Sequence, residues 1–375
     1  MHDPFSLLRH LWNVGVASVS GRRSVAHALS QDEPFFASLV LAVGKAACSM
    51  YLGAEPSISS STRSFIVSKY GHIDPACRKC LRTEIIEAGH PIPDRNSIVA
   101  GEAILQRIAR SESQDRLLLL VSGGASALVE ALQPDYDLTE LQAVTRSLLG
   151  SGKSIAEINE IRSRMSRIKG GRLLGHFRGR EARVYALSDA QGDALATIGG
   201  GIGDPSRASA KANARIVASN RVARNAVARE AGRLGLQVRL NEESLYRDVP
   251  TLAGEISQRL TRGSPGVYIW GGEPTIELPP RPGIGGRSQS LALAVATHIR
   301  GSSGISVLVA GTDGTDGPTA YAGAYVDGKT VDEPDDAEDA LRNANAGAYL
   351  GERQTLFKSG PTNTNVMDLV IATVV

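Results

Sequence analysis

The sequence predicts an α/β protein of two domains with a substantially parallel sheet. Three observations lead there. Apolar runs of strand length alternate with stretches of helical periodicity. Strand, glycine-rich loop and helix recur at least four times. A length of 375 residues is natural for two domains.

Residues 38–43, SLVLAV, read as a buried strand ending on Gly44-Lys45 and an alanine-rich helix start. Residues 64–67 form a weaker strand. The run LLLLV at 117–121 is the strongest strand, and Ser122-Gly123-Gly124-Ala125-Ser126 leads from it into a helix. Residues 138–149 are amphipathic at helical spacing. A strand at 184–187 ends on Ser188-Asp189. A strand at 267–270 runs into Gly271-Gly272-Glu273, and 289–299 are helical. The strand at 306–310 ends on Gly311-Thr312-Asp313-Gly314, and 369–375 form the last strand. The pattern changes between 232 and 265, where Arg262-Gly263-Ser264-Pro265-Gly266 has linker composition. Domains are therefore expected at 1–240 and 265–375. No period repeats, which argues against a solenoid.

Composition narrows the function classes. Hydrophobic residues make up 42% and charged residues 21%, ordinary for a globular chain. A formal net charge of +2 gives no reason to expect nucleic acid or a membrane surface as partner. Cys77 and Cys80 form a lone C-x-x-C with Cys48 apart, and no second ligand pair completes a zinc site, so the thiols are expected to be structural and reduced. The apolar run near the N-terminus is broken by Arg9 and His10 and makes a poor signal peptide. No stretch reaches transmembrane length. A cytoplasmic protein is expected by default.

In α/β folds ligands sit beyond the carboxyl ends of the strands, where these loops lie. Ser122, Gly123, Gly124 and Ser126 form a loop whose bare backbone can approach a phosphate, or else a plain tight turn. There is no Walker loop and no dinucleotide fingerprint, which disfavours a P-loop kinase and a Rossmann dehydrogenase. Lys45, between strand and helix, is either an anion-binding point charge or a solvated surface lysine. Asp189, Asp313 and Asp316 stand at strand ends among glycines and suit Mg²⁺; the competing reading is Asx-turn chemistry, preferred for Asp193. Arg287, just before a helix, suits bidentate recognition of carboxylate or phosphate. The basic stretch of Arg162, Arg164, Arg167, Lys169 and Arg172, with Lys153 upstream, reads either as a solvated face or, at Lys169-Gly170-Gly171, as a helix end facing a ligand.

Further segments complete an ordered set. Val43-Gly44-Lys45-Ala46-Ala47 is followed by Gly89-His90-Pro91-Ile92-Pro93-Asp94 and by Ser122 through Leu128. Asn159-Glu160-Ile161-Arg162, Lys169-Gly170-Gly171-Arg172-Leu173 and Leu187-Ser188-Asp189 come next. Gly271-Gly272-Glu273, Gly285-Gly286-Arg287, Gly311 through Thr319, Ala322-Gly323-Ala324 and Ser359-Gly360-Pro361-Thr362, with Thr364-Asn365 behind it, follow. Together they resemble the glycerate 2-kinases with a C-terminal MOFRL domain, a family some of whose members carry the older label hydroxypyruvate reductase. The resemblance spans nearly the whole chain. It implies a larger Rossmann-like N-terminal α/β domain, a smaller MOFRL-like C-terminal α/β domain, and a site in the cleft between them. It further implies transfer of the γ-phosphoryl group of ATP to the 2-hydroxyl of D-glycerate, with Mg²⁺. Lys45 and Arg287 become the essential basic pair. Ser122, Gly123, Gly124, Ser126 and Lys169 become the nucleotide and phosphate set. Asn159, Arg162, Glu273 and Asp316 become substrate contacts, and Asp189 and Asp313 metal ligands. A small hydroxy acid is the expected partner, and a homodimer is compatible with it. Three departures from the family pattern bear on substrate and activity: Ala125 for a third glycine, Gly199-Gly200-Gly201-Ile202 for Ser-Gly-Pro-Thr, and Ser288-Gln289-Ser290 for Asn-Gln-Glu.

Overall fold

The computed structural model describes residues 3–80, 82–149 and 155–375. Lys153 therefore lies outside the described residues. The chain forms two compact units, one of Val19–Ser219 with Asn363–Asn365, the other of Met1–Ser18, Asn220–Thr362 and Val366–Val375. The second unit thus takes residues from both sides of the 240–265 stretch.

The first unit is built on a six-stranded sheet of β1 (Leu39–Val43), β2 (Arg63–Lys69), β3 (Thr83–Ala88), β4 (Arg116–Val121), β5 (Glu181–Leu187) and β6 (Lys211–Ala218). Every pairing is parallel, in the order β3-β2-β1-β4-β5-β6. β1 and β4 are buried along nearly their whole length, as continuous apolar runs in a covered parallel sheet should be. Leu39, Leu41, Val43, Leu117, Leu119 and Val121 share one core with Ile104 and Ile108 of helix Arg95–Ala109. That helix starts on a capping box: Asp94 accepts from the Ser97 amide at 3.0 Å, and Ser97 Oγ accepts from the Asp94 amide at 3.0 Å.

The second unit holds β7 (Val238–Leu245), β8 (Gly266–Gly272), β9 (Ile305–Gly311), β10 (Gly323–Asp327), β11 (Leu356–Phe357) and β12 (Asp368–Val374), in the order β11-β10-β9-β12-β8-β7. β7 runs parallel to β8, whereas β12 is antiparallel to both β8 and β9, so this sheet is mixed. The reversal sets the first residue of β12, Asp368, opposite Gly272 at the end of β8 and Gly311 at the end of β9.

Helix Pro4–Ser18 belongs to this second unit. Its buried residues Leu8, Leu11, Trp12, Gly15 and Val16 recur at helical spacing and form one apolar stripe. That stripe packs on β9, β12 and helix Asn220–Arg233, and Trp12 meets Phe357 edge-on with ring centroids 5.0 Å apart. Asn220 binds the carbonyls of Val366 and Asp368 at 2.9 and 3.0 Å, which ties the start of β12 to the same unit.

The strands expected from the sequence are present. The missed ones, β3, β6, β7 and β11, are sheet edges, and β10 lies one place in. β6 alternates exposed and partly buried residues and so lacks a continuous apolar run.

Trp12→Ala should destabilise the second unit by about 3–5 kcal/mol, the usual cost of truncating a buried tryptophan. Urea unfolding measures it; a loss below about 1 kcal/mol would contradict this packing.

Candidate active site

In the first sheet the strand order reverses between β1 and β4, and Val43 and Val121 at their carboxyl ends pair level with each other. This is the switch point of a doubly wound sheet, where the crevice for a ligand opens. The two loops that leave it are laced together. The Lys45 amide donates to the Gly123 carbonyl at 2.9 Å, and the Ala46 amide donates to Ser122 Oγ at 3.0 Å. Ser122 is buried, so its hydroxyl holds loop to loop.

Gly124 adopts φ +83° and caps a single helical turn, Ala125–Leu128, shorter than the helix expected there. A Cβ at Gly124 would stand 3.1 Å from both His90 Cδ2 and Lys45 Cγ, so imidazole and lysine stem converge on bare backbone. Asp189, after β5, is on the other flank: a Cβ on Gly123 would stand 1.8 Å from its Oδ2. His90 is half-buried. Burial lowers its pKa to about 3, helped by the charges of Lys45, Lys69, Arg162 and His72, so the ring is neutral at physiological pH.

Deeper in this unit lies a polar cluster. Lys169 and Glu130 form an ion pair with side-chain exposures of 1% and 0%. Burial lowers the Lys169 pKa to about 8, with Glu130 opposing. Arg162 is also buried and donates to the Ser126 carbonyl at 2.7 Å; burial lowers its pKa, again with Glu130 opposing. Glu130 Oε1, Arg162 Nε and Ser126 Oγ have no hydrogen-bond partner among the described residues. The solvated-face reading of the basic stretch is therefore corrected at Arg162 and Lys169. Arg172 is likewise turned inward onto the Ser163 carbonyl at 2.7 Å, whereas Arg164 pairs with Glu160 at the surface. Asn159 sits in helix Ile155–Arg164, but its side chain lies outside the described residues.

Two departures from the family pattern meet here. A Cβ on Gly199 would lie 2.9 Å from the Ala125 methyl, so the methyl added at 125 occupies space that a bare residue 199 leaves open. Gly200 in turn packs on Ser126 and Lys169.

The second unit gathers its charges where β8 and β9 end and β12 begins. Arg287 is the first residue of helix Arg287–His298, not the residue before it. Its Nε donates to Asp368 Oδ2 at 2.7 Å and its Nη1 to Glu273 Oε1 at 2.5 Å. Burial would lower the Arg287 pKa, but Asp368 and Glu273 outweigh it and raise it. Burial raises the Asp368 pKa, with Arg287 opposing. Asp316 accepts from the amides of Ser288 and Gln289 at 3.1 and 2.8 Å and so caps this helix from a distant loop. Burial, and next the charge of Asp368, push its pKa up to about 7, against the pull of the Gln289 amide. Asp313 forms the Asx turn, Oδ1 accepting from the Thr315 amide at 3.0 Å. Among the described residues, no three His, Cys, Asp or Glu side chains are grouped to hold a metal.

Sequence reasoning missed Asp368, Glu130 and the placement of His90 beside Gly124 and Lys45. Each left a signal: an acid at the head of an apolar strand, an acid inside the apolar run SALVEAL, and a histidine beside a strand end.

Residues 7–232 match a domain of unknown function (DUF4147), and residues 266–368 match the MOFRL family. A glycerate 2-kinase of Pyrococcus horikoshii is 33% identical over 89% of this chain and 87% of that protein. The chain belongs to the glycerate kinase family. A D-glycerate 2-kinase of Thermotoga maritima is 32% identical over 90% of each chain. A putative hydroxypyruvate reductase of Agrobacterium vitis is 30% identical over 97% of this chain and 93% of that protein. Among solved structures, the glycerate kinase of Thermotoga maritima aligns with TM-score 0.88 at 29% identity, covering 99% of both chains. Among the described residues, no helix is long and apolar enough to cross a membrane.

Two outcomes follow for these clusters. Glu130→Ala strands a buried ammonium and should cost about 3–5 kcal/mol, whereas Glu130→Leu with Lys169→Met should recover most of it. Equal losses in both variants, read by urea unfolding, would contradict a pair that matters chiefly through its charge. For Asp316 the folded pKa of about 7 exceeds the unfolded value of 3.8, so folded protein binds the extra proton between them. Its contribution to stability is full below the unfolded pKa and is lost as pH rises towards about 7. The stability of wild type relative to Asp316→Asn should fall across that window; a flat difference between pH ~4.5 and ~7.5 would refute it.

Proposed function

We propose that the protein is an ATP-dependent kinase that moves the γ-phosphoryl group onto a hydroxyl of a small hydroxy acid, most directly D-glycerate to 2-phosphoglycerate. The observation that carries this reading is the likeness to glycerate 2-kinases, which runs along about nine-tenths of the chain. The kinases among its relatives imply the use of ATP. The absence of a dinucleotide fingerprint weighs against the hydroxypyruvate reductase label.

Phosphoryl transfer asks a protein for positioning and charge neutralisation more than for covalent chemistry. Lys45 and Arg287 are the cations proposed to supply it. Arg287 is suited to the task because Asp368 and Glu273 fix its guanidinium through Nε and Nη1. An arginine carries five N–H donors, so others stay available for an oxyanion. Ser122, Gly123, Gly124 and Ser126 remain the proposed phosphate loop. Lys169 supports it from the buried pair with Glu130. Arg162, Glu273 and Asp316 shape the substrate side, with Asn159 alongside.

Magnesium bound with the nucleotide takes one or two carboxylates besides water and phosphate oxygens. Asp189 and Asp313, single carboxylates at strand ends, meet that modest demand and are its proposed ligands. The ion would neutralise phosphate charge.

Mg²⁺-dependent release of ADP should be stimulated by D-glycerate or a close hydroxy acid in a coupled assay. Lys45→Ala and Arg287→Ala should each lower turnover by about 10²–10³ in folded protein. Their double mutant should lose less than the product, as groups serving one step do. Turnover within a few-fold of wild type in either single variant, with unchanged circular dichroism, would remove that residue from the chemistry.

A further inference from the structure

His90 stands out in the first unit because nothing uses it. It is half-buried at the carboxyl end of β3, yet its ring has no hydrogen-bond partner among the described residues. The ring lies against the bare backbone of Gly124, its Nε2 3.3 Å from where a Cβ would stand. The stem of Lys45 reaches the same point. The charges that bear on it most, Lys45, Lys69 and Arg162, are cationic. Lys45 follows β1 at the switch point, and Lys69 ends β2, the next strand out, so both stand at carboxyl ends of neighbouring strands.

We propose that His90 is a specificity-determining residue that hydrogen-bonds the hydroxy acid, while Lys69 beside it neutralises the acid's carboxylate. This rests on the kinase reading for the identity of the ligand. A neutral imidazole has one N–H donor and one acceptor nitrogen, which point in different directions. The nitrogen that faces the acid can donate to a carboxylate oxygen or accept from the hydroxyl, according to the tautomer. A positively charged ring would add a further cation to a group already rich in them, and burial among them keeps it neutral. A neutral ring can orient the hydroxyl, in keeping with a transfer that depends chiefly on positioning. The bare backbone at Gly124 lets the ring and the Lys45 stem come together there; a Cβ would crowd both.

The same cations could attract the phosphates of ATP, so the test separates the two ligands. Calorimetric titrations of D-glycerate and, separately, of Mg-ATP are run on wild type, His90→Asn, His90→Phe and Lys69→Met. His90→Phe should weaken D-glycerate binding about 10- to 100-fold, the worth of one or two polar contacts, and leave Mg-ATP affinity within about threefold. His90→Asn, which keeps a donor and an acceptor, should recover most of the loss. Lys69→Met should weaken D-glycerate but not Mg-ATP. Undiminished binding in His90→Phe, equal loss in Asn and Phe, or a loss confined to Mg-ATP would each overturn the proposal. So would a wild type that binds no small hydroxy acid. Binding that behaves as expected, without phosphoryl transfer, would sink the kinase reading and leave this inference standing.

Discussion

A buried charge needs a partner, and Asp368 sets that demand at the heart of the second unit. The antiparallel return of β12 carries this carboxylate to the ends of β8 and β9, where water cannot reach it. Arg287 answers it, and in doing so becomes the first residue of its helix with its guanidinium fixed. Glu273, at the end of β8, takes the adjacent nitrogen. Asp316 then satisfies the amides that the helix start leaves open. The arginine proposed for catalysis is thus oriented by the same constraint that closes the sheet. Breaking such a pair costs far more than its formation gains, because the remaining charge is stranded.

The first unit solves a similar problem differently. Its crevice is set by topology, since the level ends of β1 and β4 at the switch point leave two loops to interlock. Glycine backbone in those loops lets Lys45, His90 and Asp189 come close where side chains would exclude them. Below them Lys169 and Glu130 neutralise each other out of water, and Arg162 ties helix Ile155–Arg164 to the glycine loop. The contact of Ala125 with Gly199 makes two of the family departures one compensated change of packing. It alters the wall of the loop without removing a charged group.

Much of the fold was legible because strands covered on both faces must be continuous apolar runs, as β1 and β4 are in the parallel sheet and β9 is in the middle of the mixed one. Edge strands were not legible: Lys211–Ala218 is half solvated and spells no apolar run. Strand order was also hidden, and with it Asp368, whose role exists only because β12 lies between β8 and β9. Lys45 and the glycine loop could be found because strand-end position marks them. Burial separated the remaining basic residues: the sequence offers a solvated face or, at Lys169-Gly170-Gly171, a helix end facing a ligand, and only packing shows which carbonyl and carboxylate Arg162 and Lys169 serve. The two readings of Asp313 were both chemically sound, and its Asx turn is present whatever else the carboxylate binds.

The central claim is that these residues serve phosphoryl transfer to a hydroxy acid. Phosphorus NMR of the protein with Mg-ATP and D-glycerate tests it most directly, because it reports both the bond broken and the bond formed. Phosphoryl transfer should replace the γ resonance of ATP with the resonances of ADP and of a new phosphomonoester at the 2-hydroxyl oxygen. Intact ATP, or ADP with inorganic phosphate alone, across D-glycerate, tartronate and hydroxypyruvate would contradict it.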